Sequence, residues 1–551
     1  MTGIKKPAKF FFFTVISFFI FFLFCPKIHA ATYYIDPDCA NNGNGTTQDC
    51  AAGAGLAGAY NTWTGISFSA GNSYLQKRGT SWTGYFNLNG SGSSGNEITL
   101  GAYGTGDDPI IREGNLAGSG YVVSLYQRSF IIIENLNIKE NDDGAQDSCI
   151  GISRAHDITI RNNTISDCDQ GIGGTATNNY DVYNLTIENN QIHDNNLYGI
   201  WANYGDTTPG EIAKMYNITI SNNEFYQNGQ AIKFNSVYQA GGSDHYCSGV
   251  TFTYNHAYSN GPTGTTILFS SLDDTYAPNL IAHNTVHDTT CNVGTNCNGI
   301  WIGDNSGTTV EYNESYNAAS GLIDGVGIFL DKGGDLAYVC HDNIVRYNIS
   351  YNQDSVFDCE PWGEASQFNS AGIGLCCGVH DNEVYSNISY GNATGVSLGG
   401  TSYNNNIYNN TFVDNRIGFY YDSTGAGNTS KNNLIADNTK EGGGVTSNWG
   451  IHGDADATNI TSDYNAIYNN ETNTNLHTEG SNSVYTNTYL NSNYTLAWNS
   501  PAIDAGTDLG LTTDYAGNPI YGTPDIGAYE YQPPYAMGSN HPDTDADVRI
   551  Y

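Results

Sequence analysis

Lysine is scarce in this chain, and one lysine stands where it could be used. The 551 residues carry 19 Lys and Arg against 55 Asp and Glu. Lys233 is the third residue of a short apolar segment, AIKFNS (231–236). Similar segments put an aromatic residue in that third place: Trp201 in GIWANY, Trp301 in GIWIGD, Phe329 in GIFLDK and Tyr420 in GFYYDS. Their fifth places carry Asn203, Asn235 and Asp331, while Asp304 and Lys332 come sixth. Flat aromatic faces suit sugar rings, amides and carboxylates suit hydroxyls, and a lysine among them could move a proton.

Two reactions use such a set. In β-elimination of a uronate polymer, a cation or hydrogen bonds neutralise the carboxylate, and a base takes the neighbouring C5 proton. Lys233 is the natural base, and Asp331 and Lys332 complete the catalytic set. Asp273, Asp274, Asp324 and Asp335 are acids that could hold calcium, a hard cation wanting several oxygens. Glycoside hydrolysis, or epimerisation on the same frame, would lean on carboxylates instead. Hydrolysis needs two carboxyl groups roughly 5 to 9 Å apart, Asp331 with Asp304, Glu360 or Glu364. A third reading is a glycan-binding or adhesive surface protein without catalysis, its acids serving only as turn caps.

The segments must be strands. Second and fourth residues are apolar, so strand alternation turns the third and fifth outward. Ten such segments recur, with second residues Ile150, Ile172, Ile200, Ile232, Ile267, Ile300, Ile328, Ile373, Val396 and Phe419. A second series (ITIRNNTI, LTIENNQI, ITISNNEF and others) follows them and brings Asn163, Asn190, Asn223, Asn255, Asn284, Asn313, Asn348, Asn387 and Asn410 into register. Each unit reads as a strand, a turn, a strand, an Asn turn and a short third strand. Asn tolerates left-handed angles, and stacked Asn side chains bond along a column. Such units bury their apolar positions by stacking into a solenoid. The outward third places then form a ladder with a rung every ~4.8 Å. The middle repeats are the longest, and insertions commonly build a solenoid's binding face. Aromatics packed under those insertions are the plainer alternative.

This pattern resembles the right-handed parallel β-helix proteins of the pectate-lyase-like superfamily, over roughly residues 98 to 440. The resemblance implies an all-β solenoid and a polysaccharide ligand, with a polysaccharide lyase as the leading expectation and calcium as its possible cofactor. DGVGIFLDKGGD (324–335) is loosely similar to calcium-dependent members, in the general roles of Asp and Lys only. TYYIDPD and the stretch LQKRGTSW onward resemble an N-terminal cap, while SPAIDAGTDLG and TPDIGAYEY resemble a closing segment that precedes varied surface anchors. The expected organisation is a signal peptide (1–30), cap and first strands (31–110), β-helix repeats (111–440), last coils and closing segment (441–531) and an acidic tail (532–551). DTDADV in that tail lacks the glycine and glutamate of a calcium loop and reads as solvated.

Charge and cysteines narrow the setting. Lys5, Lys6 and Lys9 precede a Phe-rich run from Phe10 to Phe24, with Ala30 as the cleavage residue, a secretory signal layout, so the mature chain is expected at the cell exterior with no membrane span. A formal charge of −36 excludes nucleic acid as a natural partner. The chain has 12 cysteines, and pairs Cys39–Cys50, Cys149–Cys168 and Cys291–Cys297 are expected in an oxidising compartment. A monomer is expected. A second row, His193, Tyr226, Tyr258, His287, Tyr316, Tyr351 and Tyr390, lies three residues after each ladder Asn and reads as structural stacking rather than catalysis.

Overall fold

The computed structural model describes residues 30–113, 120–140, 148–177, 179–204, 213–236, 246–261, 264–292, 296–318, 325–332, 340–353, 370–439, 448–454 and 459–533. They form three parallel sheets, of 15, 14 and 14 strands, without an α-helix. After the first strand, neighbouring strands in each sheet lie three apart in chain order, so one coil gives one strand to each sheet. One coil thus contributes Ile300–Gly303, Thr308–Glu311 and Glu314–Tyr316. This is the right-handed parallel β-helix expected from the repeats. No described helix is long and apolar enough to cross a membrane.

The core is a set of stacked aliphatic columns. Ile150, Ile172, Ile200, Ile232, Ile267, Ile300, Ile328 and Ile373 follow one another and are buried. Such burial contributes roughly 1.5–3 kcal/mol per side chain. At the coil corners the Asn column is continuous from Asn163 through Asn465. Each side-chain amide donates to the Oδ1 of the next Asn, as at Asn313 to Asn348 (3.0 Å) and Asn348 to Asn387 (3.0 Å). The left-handed backbone expected of these asparagines belongs to the residue before each of them. Asn162, Asn189, Asn222, Tyr254, His283, Tyr312 and Tyr347 have φ near +55°. Tyrosine and histidine occupy some of these places, so the preceding turn does not explain the ladder asparagines. Their amides do.

The ends are closed differently. Thr32–Ile35 pairs with Ser73–Lys77, and Trp63 stacks on Phe86 at 5.0 Å over the first coils. Pairing continues to Thr472–Asn475. Beyond it, His477 bonds Tyr421 Oη and Glu479, whose carboxylate accepts from Ser462, Ser483 and Asn465. The closing segment then doubles back along the outside of the third sheet, where Leu496, Ala502 and Ile526 pack on Val413, Leu434 and Ala466. Asn409 Nδ2 donates to Asp525 O, and Thr507 N–H donates to Asn432 Oδ1. All three expected disulfides are present.

The second aromatic row is an exterior stack, as expected. Ring centroids from His193 to Tyr390 lie 4.5 to 5.5 Å apart. The Nδ1 atoms of His193 and His287 face Asp194 and Asp288.

Replacing Asn348 with Ala strands the buried Asn313 N–H, which now donates to Asn348 Oδ1 at 2.9 Å. An unfolding cost of about 3 kcal/mol is expected in urea titration, since a buried polar group left unpaired costs ~1–3 kcal/mol and neighbouring bonds are lost with it. A loss below half a kcal/mol would mean that the column is ornamental.

Candidate functional site

The outward ladder is real, residue for residue. Gly151 pairs with Gly173, then Trp201, Lys233, Leu268, Trp301, Phe329, Gly374, Ser397 and Tyr420 follow in adjacent strands of one 14-stranded sheet. Trp201, Lys233, Leu268 and Trp301 are partly exposed. Trp301 Nε1 and Asn203 Oδ1 are buried atoms with no hydrogen-bond partner among the described residues. Such groups are costly to leave unpaired and suit a polar ligand. Asn203 and Asn235 are side by side in the fifth row.

Lys233 has a companion. Its Nζ lies 3.4 Å from Tyr198 Oη and 5.3 Å from the centre of the Tyr198 ring. Tyr198 stands three residues before the ladder place and pairs with Gln170 and Gln230. Outward side chains in this row lean over the next rung: a Cβ on Gly151 would strike the Tyr121 ring, and one on Gly173 would come within 3.0 Å of Ser148 Oγ. The sequence reading missed Tyr198 and this row. The signal was there, an alternate outward place with Tyr121, Ser148, Gln170, Tyr198 and Gln230 in register.

A second missed feature lies at the N-terminal end of the same face. A cleft of about 380 Å³ is lined by Asn87, Leu88, Tyr121, Ser124, Tyr126 and Arg128. Beside it, Arg154 Nη1 donates to Tyr126 Oη at 2.9 Å, and the guanidinium sits 5.0 Å from the Tyr180 ring. In so acidic a chain, two arginines bordering one cleft are a local cationic patch.

Other expectations are corrected. Tyr420 is on the ladder but fully buried, stacked on His452 at 5.5 Å, which is itself stacked on Trp449 at 4.1 Å. It offers no face to a sugar. Phe329 is nearly buried, packed with Val326, Ala371 and Trp301, and its ring covers Gly374. It backs Trp301 rather than meeting ligand. Asp304 is buried in a turn with φ +52°, its N–H donating to Asp331 O. That makes it a turn residue. Asp331 ends its strand half-buried, and Lys332 follows half-buried in the turn.

Of the calcium set, only Asp273 and Asp274 lie among the described residues. Asp273 Oδ1 caps the Thr275 N–H at 2.9 Å, and Asp274 fills the space beside Gly307. Burial raises the Asp273 pKa. Asp324, Asp335, Glu360 and Glu364 lie outside the described residues. So do residues 1–29 and 534–551, which hold the expected signal peptide and most of the tail.

Further along the fifth row, burial lifts the Asp422 carboxyl to about 6, although the Gly400 N–H donates to it at 3.0 Å. Its protonated form stabilises the fold fully below the ordinary carboxyl pKa of about 4, and that contribution is lost as pH rises through about 6. Asp422→Asn stays neutral throughout. Its melting temperature relative to the parent should therefore rise between about pH 4 and about pH 7, and an unchanged difference would refute the burial.

The family model for the right handed β-helix region matches residues 59–210 and 100–356, together more than half of the chain. No curated protein matches. Among solved structures, a GH136 lacto-N-biosidase from Eubacterium ramulus is 15% identical over 72% of this chain, with a TM-score of 0.41. This chain spans 65% of that protein's length. XylC in complex with xylose is 12% identical over 91% of this chain and 98% of its own, with a TM-score of 0.42. The A-module of the Azotobacter vinelandii mannuronan C-5 epimerase AlgE4 is 14% identical over 76% and 91%, with a TM-score of 0.35. Likenesses this remote carry no argument about activity.

Proposed function

The chain belongs to the right-handed β-helix family, and on that fold we propose that it is a secreted enzyme cleaving a uronate-containing polysaccharide by β-elimination. The observation that carries this reading is the contact of Lys233 with Tyr198 on the outward face, one rung from Trp201 and two from Trp301. Elimination needs a base for the C5 proton and an acid for the departing O4. Lys233, as its neutral amine, takes the first proton. Tyr198 gives its phenolic proton to the leaving oxygen. Because the two side chains touch, the ammonium can return its proton to the phenolate and reset the pair.

The surroundings support the same reaction. Trp201 and Trp301 offer platforms for sugar rings, and Asn203 and Asn235 offer amides for hydroxyls. Arg128 and Arg154 suit the carboxylates of a polymer lying along the sheet. They give an acidic protein a local attraction for an acidic chain. Three disulfides fit an oxidising exterior where such polymers are met. Calcium remains a proposal: held by Asp331 with Asp324 and Asp335, it would neutralise the substrate carboxylate. No step is routed through it.

Lys233→Ala and Tyr198→Phe should each lower turnover of a uronate polymer by roughly 10²- to 10⁴-fold with little change in affinity. The readout is the ultraviolet absorbance of the unsaturated product. Asp331→Asn should cost less. Reducing ends without that absorbance, abolished by Asp331→Asn and spared by Lys233→Ala, would make the protein a hydrolase instead. Binding without any turnover would leave it a glycan-binding protein.

Chelator treatment gives a separate expectation. Activity on the polymer should fall with chelation and recover with added calcium, while magnesium should restore little. An enzyme indifferent to both additions works without the ion.

A further inference from the structure

Two cysteines beside Asp331 take no part in the three disulfides above. Cys376 and Cys377 follow directly on the strand Ala371–Leu375. Cys376 occupies the fifth place of its coil, next to Asp331, and its N–H donates to Leu330 O at 3.0 Å. The two Sγ atoms are 2.6 Å apart, well inside the non-bonded contact distance of sulfur. One sulfur from each and a carboxylate oxygen of Asp331 all lie within 4.8 Å of one another.

Cys377 has φ +68°, the left-handed corner that Arg154, Ser271, Asp304 and Gly400 also take at the sixth place of their coils, and Gly378 continues at +94°. Opposite, a Cβ on Gly400 would come within 3.1 Å of Cys377 N, a tight contact that would push on the Cys377 backbone. Cys377 is exposed and open to an oxidant.

We propose that Cys376 and Cys377 are joined in the secreted protein as a vicinal disulfide. Both thiols lose their protons, the sulfur–sulfur bond forms, and two electrons pass by thiol–disulfide exchange to an exported disulfide carrier. The carrier's own disulfide is reduced to two thiols. The closed eight-membered ring removes two S–H donors from beside Asp331 and leaves a compact apolar surface of two sulfurs. That surface continues the outward face one coil beyond Phe329, as a platform for the apolar side of a sugar ring. The platform role rests on the reading of this face as a glycan groove; the bond itself does not. Neighbouring Cα atoms are only about 3.8 Å apart, closer than in ordinary cystines. The bond should therefore open before the other three when reductant is raised.

The test uses the full secreted chain, denatured in a thiol-blocking reagent and digested. The peptide spanning Cys376 and Cys377 should carry no blocking group and weigh two hydrogens less than the dithiol. Two blocking groups on that peptide, or a crosslink from either cysteine to Cys340 or Cys359, would overturn the proposal. Mild reductant should add two blocking groups at this peptide alone, and simultaneous opening of all four bonds would count against it. Gly400→Ala should shift the pair toward the dithiol, with folding checked by melting. For the platform, opening the bond should weaken retention of an oligouronate severalfold. Unchanged retention with the bond present in the mass spectrum would remove the platform role and leave the bond standing.

Discussion

Register in this molecule is fixed at the corners by amide bonded to amide. A parallel coil that slipped by one residue would expose its core, but a slip by two would keep the same faces inward. Alternation alone therefore cannot hold Trp201 beside Lys233. The Asn column can, because each ladder Asn donates to the Oδ1 of the next one, and a slip by two would break that bond. Successive ladder asparagines are separated by as few as 23 residues and as many as 39, yet their bonds stay at 3.0 Å. The column resets the count at every turn. Insertions of any length can then enter elsewhere in a coil without disturbing the rows that face outward.

That same device decides what the sequence could reveal. The rows of the candidate site were legible because a fixed corner makes alignment by eye equivalent to alignment in space. Coverage was not legible. Trp201 and Tyr420 hold the same place in their coils, but only Tyr420 lies under His452 and Trp449, and neither residue belongs to its own repeat. Tyr198 escaped for a different reason. Its importance comes from the lean of one rung over the next, a three-dimensional tilt that no repeat records. Residue type alone marked the acids, whereas Asp273 caps its own turn and Asp304 sits in one.

The outward face is consequently graded along its axis. At its N-terminal end stand small residues, tyrosines and two arginines; in the middle stand tryptophan, lysine and amides; toward the C-terminus Ser397, Tyr420 and His452 are buried. A linear polymer laid on it would meet charge first, flat rings next and a closed wall last. The face is thus directional, and a chain bound on it has distinguishable ends.

The closing segment carries a consequence for how the molecule is made. Each coil can settle on the one already formed, so winding can begin while later residues are still being added. The segment that clamps the coils is made after them, and it reaches back across more than a hundred residues, from Asp525 and Ala528 to Asn409 and Thr411. Until that stretch arrives, the growing end is a ratchet without a pawl: it can advance, and it can also unwind. Delivery of that segment locks the spool, and a chain cut short before it would carry every ladder residue yet lack the latch.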